Sequence, residues 1–233
     1  GACEAIAFTA GGARRRIEAG LVLLHEGVIP NTHVTMALGC DHVWDGAQVC
    51  WRPRLDGHGR TSLAGILVAG DGGGIMGAQA AEHQGLLAAR AAAEALGRAA
   101  PDDGRAAAAR RALRRLKGAR RFLDRLYRPA RAQMVPADDD TIACRCEEVT
   151  AGAVRAAARL GAMGLTQAKA FTRCGMGPCQ GRLCAPTVAA LIAEARGMAP
   201  EDVAPYRPRA PFKPLTLGTL AAQQAGALTL GVL

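Results

Sequence analysis

Five cysteines between positions 144 and 184 constrain this chain more than any other feature. Cys144 and Cys146 are separated by one residue, Cys174 and Cys179 by four, and Cys184 follows shortly after. Thiolates held this close repel one another and lose hydration unless a cation or a disulfide takes them up. Zinc favours pairs of the C-x2-C kind, in which both sulfurs reach one tetrahedral ion; here one pair is tighter and the other wider. Two irons bridged by sulfides need two thiolates each, spread over a broader object, and iron–sulfur spacings include four-residue gaps. Gly175, Gly177 and Pro178 keep side chains out of the space between two ligands. Helices expected to start near Val149 and Pro186 would aim their positive ends at a negatively charged cluster. The residues alone leave an iron–sulfur cluster, a zinc site, or buried thiols with a disulfide open. With five sulfurs for four positions, Cys184, just ahead of a helix start, is the one to leave out. Cys3, Cys40 and Cys50 are scattered and read as small hydrophobes.

Composition narrows the setting. The 233 residues carry 50% hydrophobic side chains but only 3% aromatic ones, so the apolar share is Ala, Leu and Val, which favours helices and close small-residue contacts. No run of about 18 uncharged apolar residues occurs, so no membrane span is expected. Clustered cysteines fit a reducing compartment, and a cytoplasmic setting is the expectation. The net charge of +9 is concentrated between Arg105 and Arg131, where eleven basic residues face the single acid Asp124. Such a patch can meet phosphates. But Arg is the default cation of this chain, whose only lysines are Lys117, Lys169 and Lys213, and Ala106–Ala109 with Leu113, Leu116, Leu123 and Leu126 give the segment helical periodicity. No aromatic platform accompanies the charge, so nucleic acid is not the expected partner. A zinc-stabilised basic nucleic-acid binder remains the contrasting reading.

Along the chain, the runs Ala5–Phe8 and Leu21–Leu24 suggest β structure around a turn at Gly11-Gly12, and Gly65–Ala69 suggests a third strand. A helix is expected from about Met76 to Leu96, closed by Gly97. The spacing predicts a linker at Pro101–Gly104, then the Arg-rich helix, and a compact cysteine-bearing unit after Pro136. The proline-rich tail from Ala199 reads as extended and draped over a surface. Gly72, Gly74 and Gly77 satisfy a dinucleotide fingerprint on paper, but the full motif needs a second strand with an acid some 20 residues on, and that distance falls at Glu94 inside the same helix. What remains is a strand ending in Gly70-Asp71-Gly72 at a helix N-terminus, where backbone N–H groups can meet a phosphate and Asp71 can accept from a hydroxyl. His25, His33, His42, His58 and His83 have no metal or triad spacing, and no catalytic base is assigned.

Cys144-Arg-Cys-Glu-Glu-Val-Thr150, with Ala170-Phe-Thr-Arg-Cys-Gly-Met-Gly-Pro-Cys-Gln-Gly-Arg-Leu-Cys184, resembles the bacterioferritin-associated-ferredoxin-like [2Fe–2S] domain. More narrowly, it resembles the form of that domain at the C-terminus of FAD-dependent amine, opine and hydroxyproline oxidoreductase subunits, a group that includes subunits of octopine oxidase and of hydrogen cyanide synthase. The resemblance implies cluster ligands at Cys144, Cys146, Cys174 and Cys179. Thr61-Ser-Leu-Ala-Gly-Ile-Leu-Val-Ala-Gly-Asp-Gly72 is similar to the second flavin motif of that family, which implies FAD contacts at Gly70, Asp71 and Gly72. The family's first flavin fingerprint is absent, so the chain reads as a C-terminal portion that by itself would hold FAD weakly.

The implied fold is α/β: the C-terminal portion of a two-dinucleotide-binding-domain flavoprotein over residues 1–100, with its strands in a three-layer arrangement. An Arg-rich helical linker (101–136), a small, mainly helical [2Fe–2S] domain (137–198) and a Pro-rich tail (199–233) follow. The implied activity is oxidation of an amino acid, opine or related amine, with electrons leaving through the cluster. The implied partner is a second flavoprotein subunit of a hetero-oligomer. The alternative is a stand-alone ferredoxin-like electron-transfer or regulatory module.

Overall fold

The computed structural model describes residues 2–23, 25, 27–98 and 103–222; part of the expected linker (101–102), Leu24 and the end of the tail lie outside them. The chain opens with a hairpin, β1 (Ala5–Ala10) and β2 (Ala13–Glu18), in which Ala10 faces Ala13 and Ala5 faces Glu18. Gly11 and Gly12 have φ of 58° and 78°, and a two-residue turn with both φ positive matches strand twist and returns the chain at once. That turn makes Arg14–Arg16 the second strand. The run Leu21–Leu23 therefore leaves the hairpin as irregular backbone with Leu21 and Leu23 exposed, in place of the expected strand.

After the short helix α1 (His33–Ala37), a second hairpin pairs β3 (His42–Asp45) with β4 (Cys50–Pro53). Trp44 and Trp51 face each other in it, rings edge to face with centroids 5.7 Å apart. Gly65–Ala69 forms one bridge, between Leu67 and Arg60. Among the described residues the strands thus pair as three two-stranded ribbons, and the mixed helix-and-strand class holds without the expected layered sheet. A run of five apolar residues makes a full ladder only where another strand runs along its length, and here the pairing is limited to the short segment Gly59–Thr61.

Helix α2 (Ala78–Ala95) follows the glycine loop and ends at Gly97, φ 67°, close to the expected bounds. It packs on α3 (Arg105–Leu126) through Leu87, Ala106 and Ala109, where alanines let the two backbones approach. Gln48, in the β3–β4 loop, bonds Ile75 through both ends of its amide and reaches Asp124 of α3 at 3.3 Å, tying hairpin, glycine loop and basic helix together. The arginine face of α3 is exposed, as are Phe122, Leu126 and Tyr127. Among the described residues no helix is long and apolar enough to cross a membrane.

The main core lies in the second half. Beyond α4 (Arg131–Met134), the ribbon β5 (Ile142–Cys144) and β6 (Val149–Thr150) leads into α5 (Ala151–Arg159), α6 (Leu165–Thr172) and α7 (Ala185–Arg196). Thr150 caps α5 by accepting from the Ala153 N–H at 3.2 Å, and α7 begins one residue before Pro186, so both helix starts fall near their expected positions. Val154, Leu165, Val188, Leu191 and Ile192 are fully buried between these helices. Arg155 fastens the rim, donating to Glu194 of α7, to Asp139 and to the Pro136 carbonyl. The described part of the tail lies against the core and is not extended throughout, since Pro200–Asp202 form a 3-10 turn. Ala204 bridges Gly164, and Val203 and Tyr206 enter the core before the closing helix α8 (Leu217–Ala221). Leu191→Ala is expected to cost about 3 kcal/mol and Leu160→Ala, at an exposed helix end, under about 0.5 kcal/mol, as read by thermal or urea unfolding.

Candidate metal centre

All five clustered cysteines meet at one end of this core. Cys144 ends β5, Cys146 lies in the β5–β6 turn, Cys174 follows α6, and Cys179 and Cys184 lie in the loop that leads into α7. The sulfurs of Cys144, Cys174 and Cys184 lie within 4.8 Å of one another and all three residues are buried; Cys174 and Cys184 are 3.9 Å apart, sulfur to sulfur. Cys146 is exposed and bonded to the half-buried Cys179. Of the four cysteines taken as ligands, Cys144 and Cys174 group with Cys184, which was set aside on its position before a helix start, while Cys146 and Cys179 form a second pair. Nothing in the spacing of Cys184 marks it as part of the group, because only the turn 179–184 carries its sulfur back to Cys174.

The two pairs differ electrostatically. Burial raises the Cys179 thiol, but the backbone N–H groups of Leu183, Gly181 and Arg182 and the Cys146 thiol all stabilise its thiolate, and the net effect is downward. A turn whose N–H groups converge is an anion site. For Cys146 the Cys179 backbone N–H is the largest influence and lowers the value, but the hydrogen bond to the Cys179 sulfur, burial and the neighbouring Cys179 and Cys144 together raise it. Cys184 is raised, first by its hydrogen bond with Cys174 and then by burial, and stays a neutral thiol.

Glycines make the geometry possible. A Cβ at Gly177 would come within 2.2 Å of the Cys146 Cβ, so only glycine lets the second cysteine loop reach the first. Gly175 and Gly181, both at positive φ, would each bring a Cβ to 2.6 Å from the Tyr206 ring. The donor set fits a thiolate-held iron–sulfur cluster: several thiols converge, one already favouring the anion, beside a loop rich in N–H donors.

The glycine loop also takes a defined form. Gly70 has φ 78° and donates its N–H to Gln84 Oε1 at 2.8 Å. Asp71 opens a short 3-10 turn through Gly73 that includes Gly72, and its Oδ1 accepts from the N–H groups of Met76 and Gly77 at 2.8 and 3.0 Å. The carboxylate therefore occupies the start of α2, where an anion is favoured. Both bonds converge on Oδ1, and Oδ2 takes no part in holding the helix. These residues fit a flavin in kind, through a carboxylate oxygen suited to a hydroxyl donor.

Sequence reasoning missed His33 and Tyr206. His33, in α1, donates from Nε2 to the Gln180 carbonyl at 2.8 Å, joining the first half of the chain to the cysteine loop. Tyr206 donates to the Cys174 carbonyl at 3.0 Å, and its oxygen lies 3.9 Å from Cys184 Sγ. Burial above all pushes the Tyr206 hydroxyl up, so it remains a protonated donor. A lone tyrosine in a proline-rich tail carries no signal that it returns to the cysteines, and a histidine without a spaced partner carries none either.

Residues 142–224 match the sarcosine oxidase A3 domain. The chain is 47% identical to the opine oxidase A subunit of Rhizobium meliloti and 48% identical to that of Agrobacterium tumefaciens, over 94% of this chain but only 42% and 44% of those proteins. It is 33% identical to hydrogen cyanide synthase subunit HcnB of Pseudomonas aeruginosa over 86% of its length and 43% of that protein. Its fold matches the crystal structure of L-proline dehydrogenase from P. horikoshii with a TM-score of 0.69 and 21% identity, covering 88% of this chain and 40% of that one. The chain is a relative of the opine oxidase A subunits and shares the fold of part of a dehydrogenase chain. It spans less than half the length of the curated relatives it matches.

The His33 contact makes a pH prediction. Burial lowers the His33 imidazole, partly offset by the Gln180 carbonyl, and the Arg182 charge lowers it further. His42 is lowered by burial too, against the Cys40 carbonyl and Asp41. The unfolded chain then binds these protons more readily, so their contribution to stability is complete above the ordinary imidazole value of about 6.5 and lost as pH falls below it. The melting temperature is expected to drop from pH 7.5 to 5.5, and less steeply in His33→Gln.

Proposed function

We propose that this chain is the electron-transfer portion of a flavin- and [2Fe–2S]-containing oxidoreductase that oxidises an amino acid, opine or related amine. In this reading residues 137–198 form the cluster-bearing unit and residues 1–100 contribute to a flavin-binding unit, with the Arg-rich segment 101–136 between them. The observation that carries it is the grouping of the Cys144, Cys174 and Cys184 sulfurs within 4.8 Å of one another, with Cys146 and Cys179 hydrogen-bonded as a second pair. Cys144, Cys146, Cys174 and Cys179 would hold the cluster, with Cys184 as a neutral thiol beside Cys174. When bound, a flavin accepts two electrons from a substrate and an iron–sulfur cluster passes them on singly.

The chain's own residues have distinct parts. Cys179, whose thiolate three backbone N–H groups favour, loses its proton to a metal more readily than an ordinary thiol. Gly177 allows the two cysteine loops to close on one object. Asp71 fixes the start of α2 with Oδ1 and leaves Oδ2 to accept from a hydroxyl of the flavin's ribityl chain, Gly70 and Gly72 keeping that approach clear of side chains. The relatives are named as subunits, which supports a hetero-oligomer; in this reading the partner is a second flavoprotein subunit and the setting cytoplasmic.

Iron, acid-labile sulfide and zinc analysis with an anaerobic visible spectrum tests the reading. Two irons and two sulfides per chain with broad sulfur-to-iron absorption are expected; one zinc and no colour would sink it. Cys179→Ser is expected to lose the iron and Cys184→Ser to keep it, and the reverse result would move the fourth ligand to Cys184. In a longer chain that binds FAD, Asp71→Ala is expected to weaken FAD binding by about tenfold, measured by flavin fluorescence, while leaving the cluster spectrum unchanged.

A further inference from the structure

The tail residue Tyr206 is built into the thiol group more closely than a packing contact requires. Its ring lies against Gly175 and Gly181, two glycines of the cysteine loops whose Cβ atoms would strike it. Its hydroxyl donates to the Cys174 carbonyl and lies beside Cys184 Sγ. Tyr206 also lines a cavity of about 250 Å³, open to the surface, with Cys40, His42, Trp51 and Arg207 among its walls. Tyr206 thus stands between a solvent-accessible hollow and sulfurs that are themselves almost wholly buried.

We propose that Tyr206 is a positioning residue of the metal centre: its ring seals the inner thiols from the cavity, and its hydroxyl pins the loop that carries Cys174. The tail crosses at this point because Ala204 bridges Gly164 and accepts the Leu165 N–H, which holds the backbone two residues before the ring. Water and small reagents reach Cys174 and Cys184 by way of the cavity only when the ring is gone. The proposal deepens the cluster reading and rests on it for its purpose, but its test does not depend on metal.

The test is alkylation of the reduced, iron-free chain with N-ethylmaleimide, followed residue by residue by mass spectrometry. Exposed Cys146 serves as the reference, and Cys50, buried in the other half, reports unfolding. Tyr206→Ala is expected to speed modification of Cys174 and Cys184 by about tenfold or more relative to Cys146, with Cys50 unchanged; Tyr206→Phe, which keeps the ring, should stay within about threefold of the unaltered chain. No acceleration in Tyr206→Ala overturns the seal, as does equal acceleration in Tyr206→Phe. If Cys50 accelerates too, Tyr206→Leu decides by the same criterion, since leucine keeps apolar bulk but cannot fill the space between the two glycines. An unaltered chain that takes up no iron would sink the cluster reading and leave this result standing.

Discussion

The closure of two cysteine loops on one point is the constraint from which the rest of the structure follows. The Cys144–Cys146 turn and the Cys174–Cys184 loop can meet only where Gly177 brings backbone against the Cys146 side chain. That approach brings several thiols together, an arrangement that is costly unless charge is spread among donors and cations. The chain spreads it unevenly, stabilising a thiolate at Cys179 and keeping a neutral thiol at Cys184. The helices α5, α6 and α7, with Leu191 and Ile192 between them, form the rigid body that keeps this arrangement from relaxing.

Two long-range contacts then fasten other parts of the chain to that point. His33 reaches the Gln180 carbonyl from the first half, and Tyr206 reaches the Cys174 carbonyl from the tail. Each uses a backbone carbonyl of a cysteine loop, so the loops are held by their main chain and their sulfurs stay available. The glycine loop is a second ordered feature, fixed by Asp71 and Gln84 onto α2 and tied through Gln48 to the basic helix. The Arg-rich helix stands out in the sequence by charge, but its structural part is ordinary: alanines face α2 and arginines face solvent.

Much of this was legible in the residues. Helix periodicity and Gly97 gave α2, Ala and Leu spacing gave α3, and the starts expected near Val149 and Pro186 lie close to those of α5 and α7, because these signals act within a turn or two of chain. The strands were less legible. Leu21–Leu23 and Gly65–Ala69 have the composition of strands, but pairing is decided by what runs alongside, and the Gly11-Gly12 turn took Arg14–Arg16 as partner instead. Of the site, the cysteines were visible as a group and Cys184 was not assigned to it, since spacing does not say which way a thiol points.

The sequence by itself determined the chemical make-up of this region: five thiols at fixed spacing, glycines where side chains would obstruct, and helix starts beside them. These are local properties, set by covalent spacing and backbone freedom. Only the tertiary structure decided that Cys184 joins the sulfurs, that a tyrosine some twenty residues further on closes them off, and that a histidine near the start of the chain holds their loop. Such contacts join segments far apart in sequence. They arise from the packing of whole elements, which no short window of residues contains.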